Sequence, residues 1–155
     1  MFNPSKLLLI RNTERNLNFL KATLQSEEES KLVNPSASWP FDEKYWLNFF
    51  EMGTKTLSYF LKHENETIGH SVLKLDTNSK LWLCWVLVKH QYRGKGIANH
   101  LILKTEEFVK TDFEKDEYFL NVVKENKRAI NFYNKLGFVK TESDNLAWFQ
   151  MKKKL

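Results

Sequence analysis

The sequence predicts an α/β (α+β) fold in which helices flank one central sheet. Three observations carry the prediction. Apolar spacing switches along the chain between a period of about four and a period of two, so helices and strands are interleaved. Leu81 to Val88 is an almost unbroken apolar run, the pattern of a strand covered on both faces and therefore central. Directly after it come the closely spaced Gly94 and Gly96, an amphipathic segment and a second apolar run, which together make a βαβ unit.

In chain order, Lys6 to Arg11 reads as a first strand, and Asn12 or Thr13 can cap a helix that carries Leu17, Leu20 and Leu24 on one face and ends near Gln25. Glu27 to Pro40 has no clear period and is rich in breakers, which predicts a loop. Asp42 offers a cap for a short helix with Tyr45, Trp46, Phe49 and Phe50 on one side, closed by Gly53. Leu57 to Lys62 and Thr67 to Leu75 form a hairpin around the polar turn His63 to Glu66, and the chain passes through Asp76 to Ser79 into the central strand. Leu101, Ile102, Thr105, Phe108 and Val109 recur at helical spacing, and Tyr118 to Val123 is β-branched and aromatic enough for a strand. Asn126 caps a last helix that Gly137 ends, with Ala129, Tyr133 and Leu136 on one face. Phe138 to Glu142 and Leu146 to Lys152 close the chain as a hairpin. The predicted order is β-α-α-β-β-β-α-β-α-β-β, about seven strands and about four helices.

Composition narrows the function. A chain of 155 residues without repeat or flexible linker is expected to be one domain, residues 1–155. Its longest apolar run is far shorter than the ~20 residues needed to cross a bilayer, and the first residues lack a secretory pattern, so a cytoplasmic protein without a membrane partner is expected. The single cysteine, Cys84, cannot form an internal disulfide, and no Cys/His cluster has metal-ligand spacing. The net charge of +5 suits an anionic small ligand as well as a nucleic acid. Because the charge is scattered rather than striped, the nucleic-acid reading ranks last.

The chemistry sits at the glycine turn. Two glycines between a buried strand and a helix let the backbone approach a ligand and leave the first helical N–H groups facing outward, where the helix dipole favours an anion. Arg93 and Lys95 add formal charge at the same place. The segment has neither the P-loop ending nor the G-x-G-x-x-G spacing, so a different pyrophosphate site is implied.

The stretch Val88-Lys89-His90-Gln91-Tyr92-Arg93-Gly94-Lys95-Gly96-Ile97-Ala98 resembles the acetyl-CoA loop of the GNAT N-acetyltransferase superfamily, R/Q-x-x-G-x-G/A, through Arg93, Gly96 and Ala98. Leu120 to Phe138 is similar to that superfamily's second signature, N-x-x-A-x-x-x-Y-x-x-x-G-F, through Asn126, Ala129, Tyr133, Gly137 and Phe138. The resemblance implies a mixed, mostly antiparallel sheet and an acyltransferase that moves acetyl from acetyl-CoA (coenzyme A) to a primary amine of a small molecule or peptide. It implies that backbone N–H groups of Arg93, Gly94, Lys95, Gly96, Ile97 and Ala98 bind the pyrophosphate. It implies further that Val86, Leu87 and Val88 pair with the pantetheine arm, that Asn126 contacts the cofactor, and that Tyr133 protonates the departing thiolate. A phenol with a pKa of about 10 suits that last role, and a backbone N–H near Leu87 or Val88 can serve as oxyanion donor, an effect worth roughly 3 kcal/mol.

Where many relatives carry a glutamate base this chain has Trp82, which leaves Glu51, His70, His90 or a water chain as candidates and keeps a non-catalytic acyl-CoA sensor as the alternative. The segment Gln25 to Phe50 is expected to cover the acceptor. Within it, Glu27 to Glu29 either attract a basic acceptor or form a solvated helix end, and Trp39, Phe41, Tyr45 and Trp46 either line the pocket or fill the core. A monomer or a homodimer is expected.

Overall fold

The computed structural model describes residues 2–155. Its sheet contains β1 (Leu7–Arg11), β2 (Lys55–His63), β3 (Glu66–Leu75), β4 (Leu81–Val88), β5 (Glu117–Val123), β6 (Val139–Lys140) and β7 (Trp148–Lys154). The strands lie in the order β1-β2-β3-β4-β5-β7-β6, antiparallel except for β4 and β5. The helices are α1 (Asn18–Thr23), α2 (Glu27–Val33), α3 (Glu43–Asn48), α4 (Ile97–Thr111) and α5 (Lys127–Lys135). No helix among the described residues is long and apolar enough to cross a membrane.

Two expectations need correction. The stretch read as a loop after Gln25 contains α2, because Ser26 Oγ accepts from Glu29 N–H (3.1 Å) while the Glu29 carboxylate reaches back to Gln25 N–H (2.9 Å), a near-capping box. Three glutamates in its first turn suit the positive end of the helix dipole. The first helix is shorter than expected, because Asn12 is spent on a local loop. Its side chain donates to Asn16 O and accepts from Asn16 N–H, both at 3.0 Å, and α1 begins only at Asn18. Asp42, by contrast, caps α3 through Lys44 and Tyr45 N–H groups, and Asn126 caps α5 through Ala129 N–H (3.2 Å).

The sheet buries a core on each face. One contains Leu61, Leu83, Leu101, Ile102, Tyr118, Ile130 and Phe138, under α4 and α5. The other joins Leu17, Leu20 and Leu24 with Trp46, Phe50, Trp85 and Leu87, under α1 and α3. Trp85 is its centre, 4.6 Å from the Trp46 ring and 4.3 Å from that of Phe49.

Strand β4 serves both cores through the alternation of its side chains, and a bulge shifts that alternation part-way along. Its register with β3 pairs Val72 with Cys84 but His70 with Leu87, so Trp85 and Val86 together oppose Ser71. Trp85 takes a φ of +49°, a conformation rare for a residue with a large side chain. The alternation therefore slips by one residue: Leu81 and Leu83 face α4, Trp85 and Leu87 face α1 and α3, and Val86 and Val88 return to the first side. The buried His70 ring supports the slip, its Nδ1 lying 3.0 Å from Trp85 O. Between β4 and β5 the register holds the single pair Trp82 and Phe119, after which the strands diverge and a cleft opens through the sheet.

Candidate active site

Beyond the bulge the chain leaves β4 through a 3-10 turn, His90–Tyr92, and enters α4. Gly94 and Gly96 have φ of +74° and +76°, where residues with a side chain are strained, and a Cβ on either would meet nothing within 4 Å. Their backbone is thus bare on the side that lines a groove of about 380 Å³ between this loop and α5. Gly96 caps α4, so the N–H groups that open the helix lack intrahelical acceptors and carry the positive end of its dipole. This arrangement fits a diphosphate.

Of the residues expected at the cofactor, Val86, Leu87, Val88, Arg93, Gly94, Gly96, Ile97, Ala98, Asn126 and Tyr133 all border the groove. Lys95 does not border it, and its Nζ lies 5.9 Å from the centroid of the Tyr92 ring. Arg93 is engaged with the protein: its N–H donates to His90 O (3.2 Å), its Nε to Val88 O (2.8 Å), and its guanidinium lies 3.6 Å from Glu29. Arg128 and Asn99 also border the groove and escaped the sequence reading. Arg128 follows the cap of α5 by two residues, and that offset from Asn126 was the available signal.

A second cavity, of about 400 Å³, occupies the cleft between β4 and β5 and is covered by the end of α2 and its following loop. Tyr133 and Val86 border both spaces. Burial, and secondarily the neighbouring Cys84, hold the Tyr133 phenol well above its ordinary pKa. Its ring is fixed edge-on to Phe138 (5.5 Å). Burial likewise pushes the Cys84 thiol up to about 12, against the pull of Lys74, so the thiolate needed for a covalent intermediate is scarce.

The residues considered as base stand elsewhere. Glu51 is paired with Arg15 on the surface (2.6 Å). His90 lies 3.2 Å from Glu29 and 3.2 Å from Thr23 O. His70 is fully buried and its pKa falls to about 4 because burial disfavours the imidazolium, despite the Trp85 carbonyl. The carboxylate that does border the cavity is Asp76, which accepts from Asn78 and Lys80 N–H and from Trp82 Nε1 (2.8 Å). Burial alone raises its pKa, and these hydrogen bonds outweigh it, so the carboxyl lies below its ordinary value and is a weak base. Trp46 belongs to the core, whereas Leu32, Val33 and Phe49 line the cavity; Trp39, Phe41 and Tyr45 do not. The acidic run presents Glu29 to His90 and Arg93 of the loop, not to the cavity.

The chain matches the acetyltransferase (GNAT) family over residues 21–138. It is 28% identical over 124 residues to N-alpha-acetyltransferase 30 of Xenopus laevis, covering 77% of this chain and 45% of the relative. Against the Homo sapiens protein of the same name it is 26% identical over 144 residues, covering 89% and 39%. The chain thus spans less than half the length of these curated relatives. Among solved structures, a domain from Methanocaldococcus jannaschii superposes with a TM-score of 0.77 at 16% identity, covering 97% of this chain and 99% of the other. A Vibrio cholerae spermidine N-acetyltransferase in complex with CoA and spermine gives 0.75 at 17% identity, with 97% and 96% covered. With the family match spanning the bulged strand, the glycine turn and the Tyr133 helix, this chain belongs to the acetyltransferase (GNAT) family, whose cofactor is acetyl-CoA.

Proposed function

We propose that residues 1–155 act as one N-acetyltransferase domain that moves an acetyl group from acetyl-CoA to a primary amine by direct attack in a ternary complex. The observation that carries this reading is the position of Tyr133, which borders the cofactor groove and the second cavity together. Acetyl-CoA, when bound, supplies an acetyl thioester and leaves as the free thiol.

The chain's own residues do the rest. Backbone N–H groups of Gly94, Lys95, Gly96, Ile97 and Ala98 hold the diphosphate, while the Arg93 side chain ties the loop to β4. Backbone groups of Val86, Leu87 and Val88, on the edge of β4 that parts from β5, align the pantetheine arm and stabilise the charge that develops on the carbonyl oxygen. Asn126 borders the same groove and fixes the start of α5. Tyr133 keeps its proton at neutral pH and delivers it to the sulfur as the C–S bond breaks and the N–C bond forms. The proton lost by the amine leaves to water, because Asp76 is held as a weak base. A primary amine acceptor agrees with the names of the relatives, which are N-alpha and spermidine acetyltransferases. A cytoplasmic setting suits a chain with a lone cysteine and no disulfide.

The test is release of free CoA thiol from acetyl-CoA with a panel of amino acids, N-terminal peptides, aminoglycosides and polyamines. Amine-dependent release supports transfer. Tight acetyl-CoA binding without release from any amine makes the domain a sensor and overturns the reading.

A further inference from the structure

The cavity next to Tyr133 is bordered by two charged side chains, Lys74 and Asp76, and of the two only the Lys74 ammonium has no hydrogen-bond or salt-bridge partner among the described residues. Lys74 borders the cavity from β3, opposite Trp82 of β4, with its Nζ 4.6 Å from the centroid of the Phe49 ring. Among the described residues no carboxylate lies within salt-bridge distance of it. The carboxylate nearest in sequence, Asp76, is already occupied: Oδ1 accepts from Asn78 (2.8 Å) and Lys80 (2.9 Å) N–H, and Oδ2 from the Trp82 indole. The remaining lining is neutral and largely apolar, with Leu32, Val33, Phe49 and Trp148 among it.

A wall of this kind is poorly suited to a polyamine. Each additional ammonium entering the cavity meets Lys74, and the oxygens of Asp76, the carboxylate at the lining, are already taken by N–H donors and cannot pair with it directly. It suits an acceptor that brings its own anion. We propose that Lys74 determines acceptor specificity, and that the acceptor is a primary amine which also carries a carboxylate beside an apolar group. The proposal rests on the acetyl-transfer reading above and deepens it.

The carboxylate pairs with the Lys74 ammonium while the apolar group packs on Phe49 and Leu32. The same cation also makes the neutral amine easier to form than the ammonium, because a nearby positive charge disfavours protonation. That effect supplies part of what a dedicated base provides elsewhere. A carboxylate can come from two sources, the α-carboxylate of a free amino acid or an acidic side chain close behind the N-terminus of a peptide.

The experiment compares steady-state kinetics of the wild type, Lys74→Met and Lys74→Arg on paired acceptors. The pairs are leucine against leucine amide, and a peptide amide beginning leucine–aspartate against one beginning leucine–asparagine, with spermidine as the polycation. Acetyl-CoA titration by calorimetry confirms that each variant is folded and loaded. The expected result is a KM about tenfold or more lower for the carboxylate member of at least one pair, a preference lost in Lys74→Met and retained in Lys74→Arg, since a charged hydrogen bond is worth roughly that factor. The pair that shows it identifies the source. Preference for spermidine, or a pair ratio unchanged by Lys74→Met, overturns the assignment of Lys74 while leaving acetyl transfer intact. Failure of the wild type to release thiol with every acceptor, despite bound acetyl-CoA, overturns the transfer reading and this proposal with it.

Discussion

Tyr133 and His70 show how burial is used in two ways in this fold. Tyr133 borders both cavities, and its burial keeps the proton on the oxygen well beyond neutral pH. Tyr133→Phe is therefore expected to lower kcat by about 10²-fold, the usual scale of a lost general acid, while acetyl-CoA affinity by calorimetry stays nearly unchanged. Because the pKa is raised, the activity of the wild type should show no loss attributable to this phenol as pH rises toward about 10. His70 is buried on behalf of the backbone. Its neutral ring binds the carbonyl that the β4 bulge removes from the ladder, and its pKa is lowered to about 4 by burial. Between the ordinary imidazole value and that one, the unfolded chain takes up a proton that the folded chain refuses, so stability falls as pH falls through this window. His70→Asn keeps a donor for Trp85 O and removes the titration. Its thermal midpoint should lose less than the wild type does on acidification from pH about 6.5 to about 4.5, and equal losses would remove His70 from that role.

At the scale of elements, α2 connects the two halves of the site. It covers the cavity beside Tyr133 with Leu32 and Val33, and one turn earlier Glu29 meets His90 and Arg93 of the glycine loop. Its start depends on the Ser26 cap, so Ser26→Ala should destabilise α2 by about 1 kcal/mol. Hydrogen exchange should accelerate at the α2 amides and leave those of β2 and β3 unchanged. Ser26 and Glu29 have the spacing of a capping box, so α2 was present in the sequence, but its weak apolar period and the breakers after it favoured a loop. Asn12 misled in the opposite direction, because asparagine serves a local turn as readily as a helix cap. The elements read correctly are those with two agreeing signals: the glycine turn after an apolar run, or Asn126 and Gly137 at the ends of one amphipathic face. The bulge in β4 left no trace in composition, since both phases of Leu81 to Val88 are apolar and the slip depends on which core each residue meets.

For the molecule as a whole, the decisive feature is the parting of β4 from β5. Seven-residue antiparallel pairing of β5 with β7 keeps one half of the sheet intact, while the pair Trp82 and Phe119 alone joins it to the other half. The cleft that results runs from the bare glycine turn to the cavity under α2, with Tyr133 between them. Family signatures made the glycine turn and the tyrosine legible, but Lys74 carries no motif and is found only once the fold brings β3 beside the cleft. Lys95 shows the reverse case, a charged residue of the glycine turn that does not border the groove. Binding of the cofactor diphosphate by the backbone amides at Gly94 to Ala98 is tested by titrating acetyl-CoA into the wild type and Gly96→Glu in a calorimeter. The wild type should bind one equivalent per chain, and the variant, folded by circular dichroism, should bind none, because its carboxylate and strained backbone occupy the cradle. Undiminished binding by Gly96→Glu, or no binding by the wild type, would contradict the account.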